Sequence, residues 1–343
     1  MVCFRRDEGC TYQHEEMHLM LSVVSLKRFI FALRYKLNFN LFLLSMKNVH
    51  TLKEWLLAAR PWSFPASTMP VLVTLAYLFW LGEDVNWING IWALINIIFF
   101  HAAGNTWSDY ADFKGGVDAE DTFGARTLVS GEFKPQEMKC YALILLSVAL
   151  LGGVGLMIRT GWPLLWFGLG GLFCTLLYPP LKFRAWGDVV IAVAYAWLPS
   201  WGTSYAAIGR VEMSVLWFAL PIGMITVAIL HANNTRDVRT DARAHITTLA
   251  MKLGENVSRV LYNFWVLAPF AVIILCVALG VFPIWSLLAC LALPAAFANV
   301  RCSQRLQTEG VAAISSLDEM SAKLQLLFSL LLSISFFLAH FLS

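Results

Sequence analysis

Carboxylates grouped in two short polar stretches are the residues of this chain best placed to do chemistry. Asp109, Asp112, Asp118, Glu120 and Asp121 lie in 105–135, and Asp237 and Asp241 in 231–254. Each group follows directly on about twenty apolar residues, the length that crosses a bilayer. In the first, Asn105, Ser108, Asp109 and Asp112 fall at i, i+3, i+4 and i+7, the spacing of one helix face. In the second, Asn234, Asp237 and Asp241 repeat that spacing at i, i+3 and i+7. Carboxylates without His or Cys among them suit a hard, oxygen-seeking divalent cation such as Mg²⁺, which readily shares its ligands with a phosphate. Lys114, Arg126, Lys134, Arg236, Arg239, Lys182 and Arg184 lie between or beside them, and cations of this kind together with Mg²⁺ form a clamp for a diphosphate. Gly115 and Gly116 let the backbone turn sharply after the first acidic face. The Gly-rich phosphate loop of nucleotide hydrolases, G-x-x-x-x-G-K-[ST], is not in the sequence.

The elements that must position these stretches are membrane helices. Of the 343 residues, 59% are hydrophobic and only 14% charged, and the mean hydropathy is +0.66. A soluble domain is nearer a quarter charged. From Phe64 onwards the sequence predicts nine apolar spans, at 64–82, 88–107, 138–158, 161–180, 188–208, 214–232, 260–281, 284–301 and 322–341. The fold class is therefore all-α, a polytopic bundle. Lys and Arg divide 17 to 2 between alternate sides, counting those at span ends; the two on the sparse side are Arg159 and Arg210. By the positive-inside rule the N-terminus and both acidic stretches are cytoplasmic and the C-terminus is outside. Residues 1–45 hold basic residues and the short apolar run LFLLS, while Met46 opens a segment that reads as an ordinary cytosolic start. The expectation is that 1–45 is a dispensable extension and 46–343 a single membrane domain. The seven cysteines are scattered, mostly in apolar runs, which implies free thiols.

At these residues the chain resembles the UbiA superfamily of intramembrane prenyltransferases, from about Ala59 to its end. The matching pieces are RPWSFPAS at 60–67, DYADFKGGVD at 109–118, RTLVSG at 126–131, YPPLK at 178–182 and LHANNTRDVRTD at 230–241. Within the superfamily it is most similar to the 1,4-dihydroxy-2-naphthoate polyprenyltransferase branch and its animal relative. The resemblance implies nine helices around a central cavity open to lipid. It implies Mg²⁺-dependent transfer of a polyprenyl group from its diphosphate to an aromatic acceptor, expected to be 1,4-dihydroxy-2-naphthoate in menaquinone biosynthesis. It further implies that Asp109, Asp112, Asp118, Asp237 and Asp241 hold the metal, with Asp112, Asp237 and Asp241 essential to catalysis. Asn105 or Ser108, Arg126, Tyr178, Lys182 and Asn234 would contact substrate, and Arg60 would meet an acidic acceptor. The expected partners are these substrates and membrane lipid, not nucleic acid, in a membrane expected to be the bacterial inner membrane. The sequence does not specify an oligomeric state.

Two positions depart from the family pattern: Ser108 stands where Asn is usual, and Ala244 is followed by His245 rather than Gly. Neither removes a carboxylate. The alternative acceptor is 4-hydroxybenzoate, and the alternative of another class is a cation-coupled transporter using the acidic pairs. With 14 Trp and 24 Phe, a few cavity-facing rings would suffice to steady an allylic cation through their π-faces.

Overall fold

The computed structural model describes residues 50–118, 127–182 and 184–342. It forms two compact units, Met1–Trp55 and Leu56–Ser343. In the first, the described residues 50–55 open a helix through a reciprocal cap. The Thr51 amide donates to Glu54 Oε2 at 2.7 Å and the Glu54 amide to Thr51 Oγ1 at 3.3 Å. The expected extension 1–45, with Glu120, Asp121 and Arg126, lies outside the described residues.

The second unit is helical, with no strand among the described residues beyond a single bridge between Arg184 and Thr247. Its main elements are α1 (Pro65–Trp80), α2 (Trp87–Lys114), α3 (Pro135–Thr160), α4 (Leu164–Lys182), α5 (Gly187–Ala192), α6 (Leu198–Ile208), α7 (Leu216–Arg236), α8 (Val238–Arg243), α9 (Leu249–Ala278), α10 (Leu293–Gln304) and α11 (Leu317–Leu342). Among the described residues seven helical runs, not the expected nine, are long and apolar enough to cross a membrane. The two that differ are the spans expected at 161–180 and 188–208. The apolar part of α4 is the shorter Leu164–Tyr178. The run from 187 to 208 is interrupted by a π-helical turn, Val193–Trp197, between α5 and α6. Hydropathy registers apolar length but cannot register one extra residue in a helical turn. Helix α2 runs unbroken for 28 residues and carries Asp109 and Asp112 on its last turns. Gly116, at φ 69°, then turns the chain as its lack of a side chain allows.

Helices α1 and α7 form the centre, with 61% and 67% of their apolar windows buried, against 28% and 22% for α2 and α3. Tyr77 of α1 is packed by Phe218, Phe282 and Phe336, with ring centroids 5.1, 5.9 and 5.1 Å away. Such edge-on and tilted contacts suit the ring quadrupole. Around α2–α4 large apolar side chains such as Leu151, Ile158 and Phe173 point outward, the pattern of a lipid-facing wall. Between lipid-soaked helices there is little hydrophobic drive to associate, so close packing of small residues has to hold them. Gly152 and Gly155 of α3 do this against α2. A Cβ on Gly152 would sit 2.3 Å from Asn96 Oδ1, and one on Gly155 would sit 2.8 Å from Trp92. We expect Gly155→Val to lower stability by about 1–3 kcal/mol through overpacking. The thermal melting of the detergent-solubilised protein measures it, with Gly168→Ala, which enters open space, as the unchanged control.

Candidate active site

Helix α2 presents its polar residues along two adjacent rows. His101, Asn105 and Asp109 form one, facing the turn that precedes α1; Ser108 and Asp112 form the next. Arg60 pairs with Asp109, which is almost fully buried. The Asn105 amide donates to Ala59 O and to Ser63 Oγ, both at 2.9 Å. The His101 ring lies between the Ser63 and Ser67 hydroxyls, at 3.2 and 2.8 Å. The single face predicted for Asn105, Ser108, Asp109 and Asp112 is thus divided between two tasks. Asn105 is engaged by the entry turn, whereas Ser108 Oγ donates to Asp112 Oδ2 at 3.3 Å. Of the two candidates for the polar residue that serves the carboxylate, Ser108 makes the contact. Arg60, expected to meet an acidic acceptor, has its guanidinium on Asp109 in this structure.

The second motif ends α7. Asn234 is buried, and Asp241 is buried on the following helix, α8. Arg236 grips Asp237 with two bonds, Nε to Oδ1 at 2.8 Å and Nη2 to Oδ2 at 3.0 Å. Its third nitrogen reaches Asp318 Oδ2 at 3.0 Å on α11. A two-point Arg–carboxylate contact fixes orientation as well as charge. A carboxylate held in this way keeps lone pairs free for a further cation. A buried Asp188–His231 contact, Oδ2 to Nδ1 at 3.1 Å, ties α5 to α7 just above this motif. His245, exposed and at φ 58°, lies on the surface of the loop that follows.

The two motifs meet. Asp118 is pushed up to about 6, chiefly by burial and then by the Asp112 carboxylate, with Asp237 adding to the repulsion and Arg60 and Lys182 opposing it. Asp241 is likewise raised to about 6 by burial. Asp237 and Asp112 add to that shift, and Lys182 and Arg236 oppose it. Lys182 thus lies within reach of acids from both stretches. Tyr178, one turn before it on α4, is in the same field, close to Asp112, Asp188 and Asp241. Among the described residues no three His, Cys, Asp or Glu side chains converge as a ready-made metal cluster. The donor set nonetheless fits Mg²⁺. It is all oxygen, its members repel one another, and Asp109 Oδ2 is buried with no partner among the described residues. Asp109, through that oxygen, and Asp112, Asp118, Asp237 and Asp241 are the side chains that would hold such an ion.

Beside this polar end, α1 to α4 and α6 enclose an apolar cavity of about 240 Å³. Its wall includes Phe100, Phe167, His101 and Tyr195, and among the described residues that line it none is Lys, Arg, Asp or Glu. His101 and Tyr195 stand edge-on with ring centroids 5.0 Å apart. Tyr195 belongs to the π-helical turn and lies within electrostatic reach of Tyr178. The cavity therefore runs along the same helix that carries the first acidic motif. Sequence reading missed His101, Tyr195, Asp188, His231 and Asp318. A His inside an apolar run is the one signal that could have marked the first of them.

Residues 67–321 match the UbiA prenyltransferase family. The chain belongs to this family. Among curated relatives, the zebrafish (Danio rerio) UbiA prenyltransferase domain-containing protein 1 is 34% identical over 249 residues, covering 71% of this chain and 73% of that one. The chicken (Gallus gallus) protein of the same name is 33% identical, covering 80% and 82%. The Drosophila melanogaster homologue is 31% identical, covering 84% and 80%. These relatives are animal proteins, so they give no support to the bacterial inner membrane expected from sequence, nor do they single out the dihydroxynaphthoate branch. Among solved structures, a digeranylgeranylglyceryl phosphate synthase superposes with a TM-score of 0.56 at 18% identity, covering 83% of this chain and 98% of that one. A UbiA homologue from Archaeoglobus fulgidus bound to GPP and Mg²⁺ gives 0.56 at 16% identity, covering 81% and 99%. At such identities the likeness establishes the fold. The chain is an integral membrane protein with the UbiA helical architecture.

The raised carboxylates set a pH dependence. Asp118 and Asp241 have ordinary values near 4 when unfolded, and about 6 in the metal-free fold. The folded state then binds more protons between these values, so metal-free stability falls as pH rises from about 4 to about 6 and stays lower above. Melting curves in EDTA are expected to shift to lower temperature over that window. Asp118→Asn combined with Asp241→Asn is expected to flatten the dependence and raise the melting temperature at pH 7.

Proposed function

We propose that this chain catalyses Mg²⁺-dependent transfer of a polyprenyl group from its diphosphate to an aromatic acceptor. The observation that carries the reading is the adjacency on α2 of two things: an acidic site assembled from both stretches, with Lys182 between them, and an apolar cavity without charged lining. The first suits a diphosphate with its counter-ion, the second an isoprenoid tail. Membership of the family supports the reaction class.

Bound Mg²⁺ would neutralise the diphosphate and make it a better leaving group. The chain's own residues do the rest. Asp109, Asp112, Asp118, Asp237 and Asp241 hold the anionic end in place through that charge. Lys182 adds a fixed positive charge at the diphosphate oxygens, and Tyr178 stands beside it. As the C–O bond to diphosphate breaks, the allylic carbon gains positive charge. Cavity aromatics such as Phe100, Phe167 and Tyr195 can each steady it by about 1–2 kcal/mol where water is excluded. Water exclusion also keeps the cation from being hydrolysed. The diphosphate leaves with the electron pair of the broken C–O bond, and the acceptor ring carbon forms the new C–C bond. The ring rearomatises by releasing a proton, or CO₂ where that carbon carries the carboxylate. We take 1,4-dihydroxy-2-naphthoate as the first acceptor to test, and the positive-inside distribution puts the acidic loops on the cytoplasmic face.

The decisive experiment incubates membranes holding the full chain with labelled farnesyl diphosphate, Mg²⁺ and 1,4-dihydroxy-2-naphthoate, with 4-hydroxybenzoate in parallel. Prenylated product that disappears with EDTA is expected. Asp112→Ala and Asp237→Ala are each expected to reduce it by at least about a thousandfold while the protein still inserts. Normal turnover in either variant would refute the metal assignment. Donor length is tested separately at Gly171, which lines the cavity and has open space where a side chain would go. Gly171→Phe is expected to lower the rate with long polyprenyl donors far more than with dimethylallyl diphosphate. Equal losses across donors would remove the tail from this cavity.

A further inference from the structure

The hydrogen bonds around His101 can be assigned direction, and direction reveals what the residue does. Ser63 has a single hydroxyl proton, and it goes to Arg60 O, a carbonyl that can only accept, at 2.8 Å. The Asn105 amide also donates to the Ser63 oxygen. His101 Nε2, at 3.2 Å from the same oxygen, must then be the protonated nitrogen and a donor. Nδ1 is left with only a lone pair, so it accepts from Ser67 Oγ at 2.8 Å, a contact shorter than the 3.2 Å from the same hydroxyl to Phe64 O, which competes for its single proton. The ring is thereby one fixed tautomer in a one-way chain of bonds: Ser67 to His101 to Ser63 to the Arg60 carbonyl.

That chain ends on the one part of the turn that resists its conformation. Arg60 adopts φ 57°, ψ 60° immediately before Pro61. A left-handed backbone costs a residue with a Cβ about 1–2 kcal/mol, and the residue before proline is normally extended. The Arg60 carbonyl is held by the Ser63 amide at 3.0 Å as well as by the Ser63 hydroxyl. In this conformation its guanidinium meets Asp109 and offsets the charge on Asp118.

We infer that His101 is a positioning residue. Acting through Ser63, it locks the left-handed Arg60 turn and so keeps the Arg60 guanidinium over the first acidic motif. His101 also lines the cavity, so the lock stands where the isoprenoid and diphosphate portions of a donor would join. The kinetic part of this inference rests on the prenyl-transfer reading; the structural part does not.

The test is hydrogen–deuterium exchange of the full-length protein in detergent, followed in the peptide covering 59–68. In His101→Leu the Ser63 and Phe64 amides are expected to exchange about tenfold faster than in the wild type, with the core of α7 unchanged. His101→Gln, which offers both a donor and an acceptor, is expected to restore wild-type exchange. Should His101→Leu fail to insert, Ser67→Ala removes the donor to Nδ1, together with the weaker 3.2 Å bond to Phe64 O, and is expected to accelerate the same amides. The second arm is a double-mutant cycle on prenyl transfer with Arg60→Gln. A lock acting through Arg60 predicts that His101→Leu, harmful alone, adds less than about twofold in the Arg60→Gln background. Unchanged exchange in the turn, or effects that multiply in the cycle, would overturn the inference. A wild type that exchanges as expected but transfers no prenyl group would instead defeat the proposed function and leave the lock standing.

Discussion

Like charges gathered at the end of a membrane helix repel one another, and burial makes the repulsion stronger. The rest of this structure answers that constraint. Asp109, Asp112, Asp118, Asp237 and Asp241 come from two stretches more than a hundred residues apart. Four of them face a counter-charge, while among the described residues Asp112 has only the Ser108 hydroxyl. Asp109 has Arg60, and Asp237 has Arg236 on both oxygens. Asp118 and Asp241 share Lys182 as a partial counter-charge. What remains uncompensated is an oxygen-lined excess of negative charge that a divalent cation would relieve.

The supporting helices can be read in these terms. Helix α4 matters less as a span than as the carrier of Tyr178 and Lys182. The buried Asp188–His231 contact holds the segment that follows it against α7. The close α2–α3 contact at Gly152 and Gly155 keeps the acidic helix at a fixed distance from its neighbour. Open space at Gly168 and Gly171 of α4 leaves the cavity clear. Small residues therefore do opposite work on the two sides of the same compartment.

The sequence made the acidic motifs, their convergence and the all-helical class legible, because helical spacing and apolar length are local properties. It made the partition of α2 into two rows illegible. Asn105 and Asp112 are equivalent by spacing, and only the path of the chain before α1 decides that Asn105 serves the entry turn and Ser108 serves the carboxylate. The Arg60–Asp109 pair is illegible for the same reason. It depends on a left-handed backbone that no periodicity reveals. The π-helical turn at Val193–Trp197 aims Tyr195 into the cavity through one extra residue in a turn, which a hydropathy window averages away. Asp318 sits at the start of the last helix, 82 positions from the arginine it meets, and nothing local marks it.

That last contact has a consequence for how the protein is made. A ribosome delivers helices to the membrane one at a time, and both acidic stretches have been synthesised well before α11 emerges. Until then Arg236 lacks the Asp318 carboxylate, and α1 and α7 lack the helix that packs against both. The second motif thus acquires the Asp318 carboxylate only when α11 docks. Assembly of the second acidic motif is in this way timed to the docking of α11.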